Sequence, residues 1–371
     1  GWGGGTFVGS VGVTLNNLSI KNFFKKGAWR PYPMGQNQRL SISAQTNGTY
    51  YKAFAISFTD PWMGGRKPNS FTISAHYSDE NNAYYAWQKG TRYFRTAGVA
   101  AGLGKRLDWP DPYFTFYAEA SYERYMLKDW NTFVLKNGAA NLLSIRLVLG
   151  RNSVDQPIYP RRGSDFSVSV QLTPPYSLWD GKDYKSTALS EQERYNWIEF
   201  HKWMLKGQWF TPLTRNGNLV LMARAEMGYL GHYNKNKVSP FERFEVGGDG
   251  MTGYNMYGID IISMRGYDDG ALDPVGSNYS CAYNKYTMEL RYPLLLKGQT
   301  NIYVLGFLEG GNGFTSWKEF SPFKIKRSAG IGVRLFLPVV GMVGVDWGWG
   351  FDPAAGQTKR SHIHFTMGMQ F

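Results

Sequence analysis

The chain has 371 residues, 44 of them glycine, with 16% aromatics and a net charge of +13. That length is large for one soluble core, and no apolar run reaches the roughly 18–20 residues of a transmembrane helix; the longest candidate, 335–345, is interrupted by Pro338, Gly341 and Gly344. Mean hydropathy is negative despite the aromatics, as expected when half of each strand faces water, and the scattered basic charge argues against nucleic acid.

Gly1–Leu15 reads as a glycine-rich strand, and glycines loosen a strand's hold on its neighbour. Leu18–Lys26 and Asn37–Thr46 read as the next two strands, with a turn between them near 27–35. The Asn47-Gly48 hairpin signal leads into Thr49–Thr59, and a short break at 60–70 leads into Phe71–Ser78. The same cadence, about ten alternating residues and then a Gly/Pro/Asn/Asp break, predicts strands over Arg92–Lys105, Tyr113–Leu127, Lys136–Gly150, Asp165–Thr173, Trp197–Thr211 and Gly217–Tyr229. After a long gap it resumes over Ala282–Tyr292, Thr300–Glu309, Lys326–Leu337, Gly341–Gly350 and Arg360–Phe371.

In the last segment Ile363, Phe365, Met367, Met369 and Phe371 share one parity, and His362, His364, Thr366, Gly368 and Gln370 share the other. Strict alternation makes a strand with one apolar and one polar face. The expected fold is therefore all-β: a transmembrane antiparallel β-barrel of about 16 strands spanning 1–371. Its termini and the short breaks near 109–111, 215–217 and 338–340 fall on the periplasmic side. A soluble multi-sandwich is the competing reading, since alternation alone does not name the solvent. An exported barrel also implies an upstream export segment.

The gap from 230 to 280 is the outlier. Long loops without structure of their own are usually functional, and this one is too rich in Gly, Tyr, Met and Ile for a solvated tail. It is expected to fold into the lumen. The single cysteine, Cys281, permits no internal disulfide. No G-x-S-x-G or H-E-x-x-H occurs, so no enzyme is indicated. Gly248–Gly253 spells G-x-G-x-x-G without the strand–helix context that gives it meaning. His362 and His364 have the spacing of a metal pair with no third ligand, and Asp268, Asp269 and Asp273 lack the order of a calcium loop. No metal or cofactor is expected.

Ser263-Met264-Arg265-Gly266-Tyr267, preceded by Phe244-Glu245-Val246-Gly247-Gly248, resembles the F-x-x-GG … RGY/RGF signature of the BamA family, outer-membrane assembly factors whose barrels insert other barrels. Glu289-Leu290-Arg291-Tyr292-Pro293 resembles that family's E-x-R-x-P strand. Phe307-Leu308-Glu309-Gly310-Gly311 is similar to its F-x-D-x-G strand end, with Glu for Asp. Ser328–Arg334 resembles S-x-G-x-G-x-R, Asp60–Gly65 resembles an early turn, and the terminus resembles a β-signal ending in Phe. The resemblance spans the chain and is densest over 241–371. It implies periplasmic POTRA domains upstream.

Parity puts Glu289 on the polar side of its strand, opposite Met288, Leu290 and Tyr292, with Glu309 at the end of the next. An arginine on an infolded loop can meet either carboxylate with charge-assisted bonds. Arg265, with Gly266 and Tyr267, is thus expected to anchor the loop in the lumen through Glu289 or Glu309. The second expectation is a weak seam between the first and last strands, at Gly3, Gly4, Gly5, Phe7, Gly9 and Phe365, Gly368, Phe371. An imperfectly paired edge is a template for strand addition. The resemblance implies a Gram-negative outer-membrane protein whose partners are outer-membrane lipids, unfolded β-barrel substrates and accessory assembly subunits. A secretion barrel of the same superfamily and a plugged porin are the alternatives.

Overall fold

The computed structural model describes residues 2–3, 6–7, 9–48, 50–65, 68–83, 90–250, 259–276, 279–297, 300–338, 341–354 and 356–367. Two short strands open the chain, β1 (Trp2–Gly3) and β2 (Thr6–Phe7), paired with each other. There follow β3 (Gly9–Leu18), β4 (Gln38–Asn47), β5 (Tyr51–Asp60), β6 (Asn69–Asn81), β7 (Tyr93–Arg106), β8 (Phe114–Lys128), β9 (Gly138–Asn152) and β10 (Gly163–Leu172). A short helix, α1 (Glu191–Tyr195), precedes β11 (His201–Pro212) and β12 (Val220–Gly231). The long loop carries β13 (Phe244–Val246) and β14 (Asp260–Ile262), and the chain closes with β15 (Ala282–Lys297), β16 (Thr300–Phe314), β17 (Lys326–Leu337), β18 (Gly341–Gly350) and β19 (Ser361–Met367). Fifteen strands form one sheet in the order β19 to β15, then β12 to β3.

The chain divides into two compact units, residues 1–149, 170–201 and 232–240, and residues 150–169, 202–231 and 241–371. In the first, one cross-strand row reads Val13, Ile42, Ile56, Ala75, Val99 and Tyr122. Val13, Ile42, Ile56 and Val99 in that row are exposed. In the second, Tyr292, Val304, Val333, Val345 and Phe365 form another such row. Tyr292, Val333, Val345 and Phe365 are again exposed, while the carboxylates of Glu289, Glu309 and Asp346 are buried. Burial of charge beneath exposed apolar belts inverts a soluble protein and suits strands whose outer face meets lipid.

Three expectations need correction. Gly1–Leu15 is not one strand: residues 2–3 pair with 6–7, and the long strand starts at Gly9. Leu18–Lys26 is not a strand either. Asn17 adopts φ 60° in a bulge of the ladder, whose last pair is Leu18 with Gln38, and Ile20–Asn22 then forms a 3-10 turn whose Ile20 N–H is capped by Gln38 Oε1. The main sheet therefore has fifteen strands among the described residues. Finally, Glu309 is not at a strand end, because β16 runs on to Phe314, with Gly311 and Gly313 letting neighbouring backbone and Ser280 approach closely.

Candidate functional site

The site lies within the second unit, where residues 241–280 cover the polar face of β15 to β19. The loop first fixes its own base. β13 and β14 pair in parallel, Phe244 with Asp260 and Val246 with Ile262. Buried Lys202 of β11 reaches Glu242 (3.1 Å) and Asp260 (2.8 Å). The Phe244 ring stands edge-on to Tyr283, centroids 4.8 Å apart.

At the tip, Arg265 is the hub. Its Nη2 donates to Glu289 Oε1 (2.7 Å) and Glu309 Oε1 (2.6 Å), its Nε to Glu309 Oε1 (3.0 Å), and its backbone N–H to Glu309 Oε2 (2.9 Å). Nη1 lies 3.5 Å from Asp346 Oδ2. The guanidinium also stacks 3.8 Å from the centre of the Phe307 ring, where a cation meets the negative face of the aromatic. Burial lowers the Arg265 pKa, and the carboxylates of Glu309, Glu289 and Asp346 outweigh it, so the shift is upward. Arg291 shares Glu289, with Nη2 at 2.7 Å, and Arg334 makes a two-pronged bond to Asp346 with both distances 2.7 Å. Three arginines thus face three carboxylates, and every charge has a close opposite.

Gly266 and Tyr267 seat the loop on the sheet backbone. Gly266 has φ 89°, a left-handed conformation that strains other residues. A Cβ on Gly348 would meet Gly266 N at 2.7 Å, and one on Gly350 would meet Gly266 O at 2.7 Å. The two glycines of β18 therefore form a bare cradle for the loop. Gly266 N–H donates to His364 Nε2 (2.8 Å), and Tyr267 OH donates to the Arg327 carbonyl (2.7 Å). His362 Nδ1 lies 3.1 Å from Asp268. The two histidines of β19 thus contact the loop through its backbone and an aspartate.

Beneath the hub is a cavity of about 300 Å³, lined among others by Arg224, Lys285, Thr287, Arg334, Asp346 and His364. The 153–162 turn, which the sequence presents as an ordinary break, also borders it. Tyr159 of that turn is buried among Phe210, Val220, Tyr303 and Met342, and its hydroxyl reaches the carbonyls of Asn218 (2.8 Å) and Arg291 (3.0 Å).

The structure brings Arg265, Gly266, Tyr267, Glu289 and Glu309 together. Arg291, Arg334 and His364 appear in the sequence analysis as motif or polar-face residues and not as part of this site, and Asp346 and the Gly348/Gly350 cradle are not singled out there at all. The signal for Asp346 was a lone charge among the glycines of an alternating strand. Of the expected seam residues, Gly3 lies in β1, Phe7 in β2 and Gly9 at the start of β3, paired with Thr46. Phe365 pairs with Val345 and is exposed. Gly4, Gly5, Gly368 and Phe371 lie outside the described residues. β3 and β19 stand at the two ends of the strand order.

Residues 34–371 match the model of the Omp85 superfamily domain. The chain belongs to the Omp85 superfamily. It is 23% identical over 303 residues to the outer membrane protein assembly factor BamA of Neisseria meningitidis serogroup B, covering 76% of this chain and 30% of that relative. The chain thus spans about a third of the length of that curated relative. Its fold is similar to that of Haemophilus ducreyi BamA lacking POTRA domains 1–3, with a TM-score of 0.66 at 17% identity over 96% of this chain and 65% of that one. It is also similar to CdiB from Acinetobacter baumannii (TM-score 0.56, 13% identity, 98% and 56% covered) and CdiB from Escherichia coli (0.53, 12%, 96% and 62%). The Omp85 chain is a BamA-like transmembrane β-barrel domain of the Gram-negative outer membrane.

Proposed function

We propose that this Omp85 chain folds β-barrel proteins into the outer membrane by offering an edge for strand addition between its first and last strands. The observation that supports the reading is that residues 2–3 pair with 6–7 instead of lengthening β3, whose ladder with β4 starts only at Gly9. A strand that begins short leaves its seam imperfectly paired, and an incoming strand can add there through backbone hydrogen bonds without ATP or a catalytic side chain. On this reading Arg265 anchors the loop against β15, β16 and β18 and, through Gly266 and His364, supports the last strand from its polar side. Unfolded barrel chains are the substrates, accessory assembly subunits are the partners, and outer-membrane lipids surround the apolar belts.

The test is a set of paired cysteines, one within 9–13 and one within 363–367, in a Cys281→Ser background. The oxidised, locked protein in liposomes should lose assembly of a test barrel and regain it on reduction. Undiminished assembly by locked protein would overturn the reading. In cells, depletion should deplete many different barrels together; loss of one secreted protein alone would point to a dedicated secretor.

A further inference from the structure

The connection between β3 and β4, residues 19–37, is much longer than the turns 61–68 and 107–113 at the same end of the first unit. It contains Lys21, Lys25, Lys26 and Arg30 and no acidic residue. Interleaved with these cations are exposed aromatics: Phe24 is 92% exposed and Trp29 54%. The segment is nevertheless built rather than loose. Ser19 N–H donates to Pro33 O (2.9 Å), and Gly35 N–H donates to Asn17 O (3.0 Å), closing its base. The Phe23 ring stands edge-on to Phe24 and Trp29, at 5.4 and 5.0 Å, and the Trp29 indole N–H donates to Phe23 O (3.0 Å).

A folded platform that holds a phenylalanine almost wholly in water is unfavourable unless an apolar phase receives the ring. Two observations say which phase. The platform grows directly out of the strands that carry exposed Val11, Val13 and Ile42, so it continues the lipid-facing belt. Antiparallel order also puts Trp62 and Trp109, both exposed, in turns at the same end of the sheet, the place of an interfacial aromatic girdle. Four cations in a segment that has no acidic residue of its own, set among rings that enter the acyl boundary, complement phosphate at the headgroup level.

We propose that residues 19–37 form a docking surface for anionic phospholipid headgroups, with Phe24 and Trp29 in the acyl boundary and Lys21, Lys25, Lys26 and Arg30 on the phosphates. The surface holds the first long strand at a fixed depth and favours anionic lipid beside it. This rests on the membrane location and not on the seam reading.

The experiment compares hydrogen exchange of the 19–37 amides in nanodiscs of phosphatidylcholine with and without phosphatidylglycerol, together with the immobilised fraction of spin-labelled lipids. In phosphatidylglycerol the segment should exchange more slowly, and the labelled anionic lipid should be retained preferentially. Changing all four cations to Gln should abolish the added protection and lower that preference at least about tenfold, on about 1 kcal/mol per cation; changing the lysines to Arg should preserve both. Heat-modifiable gel mobility confirms that each variant is folded. Equal exchange in the two lipids, or protection unchanged by the Gln variant, would overturn the proposal. So would protection that appears only with an added acidic protein.

Discussion

Among the buried cations that hold the segment joining β12 to β15, Arg265 and Lys237 are of very different design. Arg265 has three carboxylates within 3.5 Å, an aromatic ring beneath it and a cradle of glycine backbone beside it. Lys237, in the first unit, has one carboxylate in ion-pair contact among the described residues, Glu199 Oε2 at 3.4 Å, with the Tyr184 hydroxyl at 3.2 Å and the Tyr184 ring 4.7 Å away. Arginine's planar fork is always charged and serves several acceptors, whereas lysine is a point charge whose protonation the surroundings can move. Burial pushes the Lys237 pKa down, with Glu199 opposing. The difference teaches that the cation is over-determined where it seats the loop tip, whereas at Lys237 one carboxylate and a tyrosine suffice to tie the start of the segment.

The largest effect should come from Arg265→Ala. It leaves Glu309 and Glu289 buried without the guanidinium between them, and breaking a buried pair costs about 3–5 kcal/mol. A fall in thermal stability and rapid proteolysis within 241–280 would be the readout, with Arg265→Lys recovering only part because the fork is lost. Lys237→Met should fall at or below the low end of that range, about 3 kcal/mol. Glu199 keeps its bonds from the Ser177 N–H (2.7 Å) and hydroxyl. If the two variants are equally costly by thermal melt, the distinction between hub and single tie fails. Next come Gly348→Ala and Gly350→Ala, whose added methyl meets loop backbone that cannot rotate away; about 1–3 kcal/mol is expected for overpacking. The sharper prediction is non-additivity: each should lose most of its effect in an Arg265→Ala background, as coupled neighbours do.

The alternation that reveals β15 to β19 also reveals which face is polar, so the inward side of Glu289 could be read from the chain, while the match of Arg265 to Glu289 and Glu309 was implied by the resemblance of its RGY motif. Register could not. Arg334 meets Asp346 because Arg334 pairs opposite Gly344, two residues from Asp346 along β18, and nothing local in the sequence states that pairing. Tyr159 was hidden for a different reason. A Pro- and Arg-rich break looks solvated, and only the tertiary fold shows its ring in the core. The segment 18–26 looked like a strand because its apolar residues suit one, whereas after the bulge at Asn17 only Leu18 still pairs and the chain turns into the 3-10 turn at 20–22. Seam residues at the extreme ends are legible as glycine density and a terminal aromatic, a composition that sets no pairing.

The smallest expected effect tests whether the loop has any titratable element to set against the permanent charge of Arg265. Asp273, buried in the loop, accepts from Ser280 Oγ (2.5 Å) and Val246 N–H (3.2 Å) through Oδ1. Its Oδ2 is buried with no partner among the described residues. Burial pushes its carboxyl up to about 8; the Ser280 and Val246 bonds oppose this, and nearby Glu245 adds to the rise. A raised acid binds its proton more tightly when folded. Its contribution is therefore complete below the unfolded value near 4 and is lost as pH rises through about 8. Exchange of amides 259–276, corrected for intrinsic rates, should accelerate severalfold between pH 6 and 9. Asp273→Asn, which keeps an uncharged acceptor, should flatten that dependence, and a profile unchanged in the variant would assign the titration elsewhere, to Glu245 first, whose own carboxyl is raised by burial and then by Asp269.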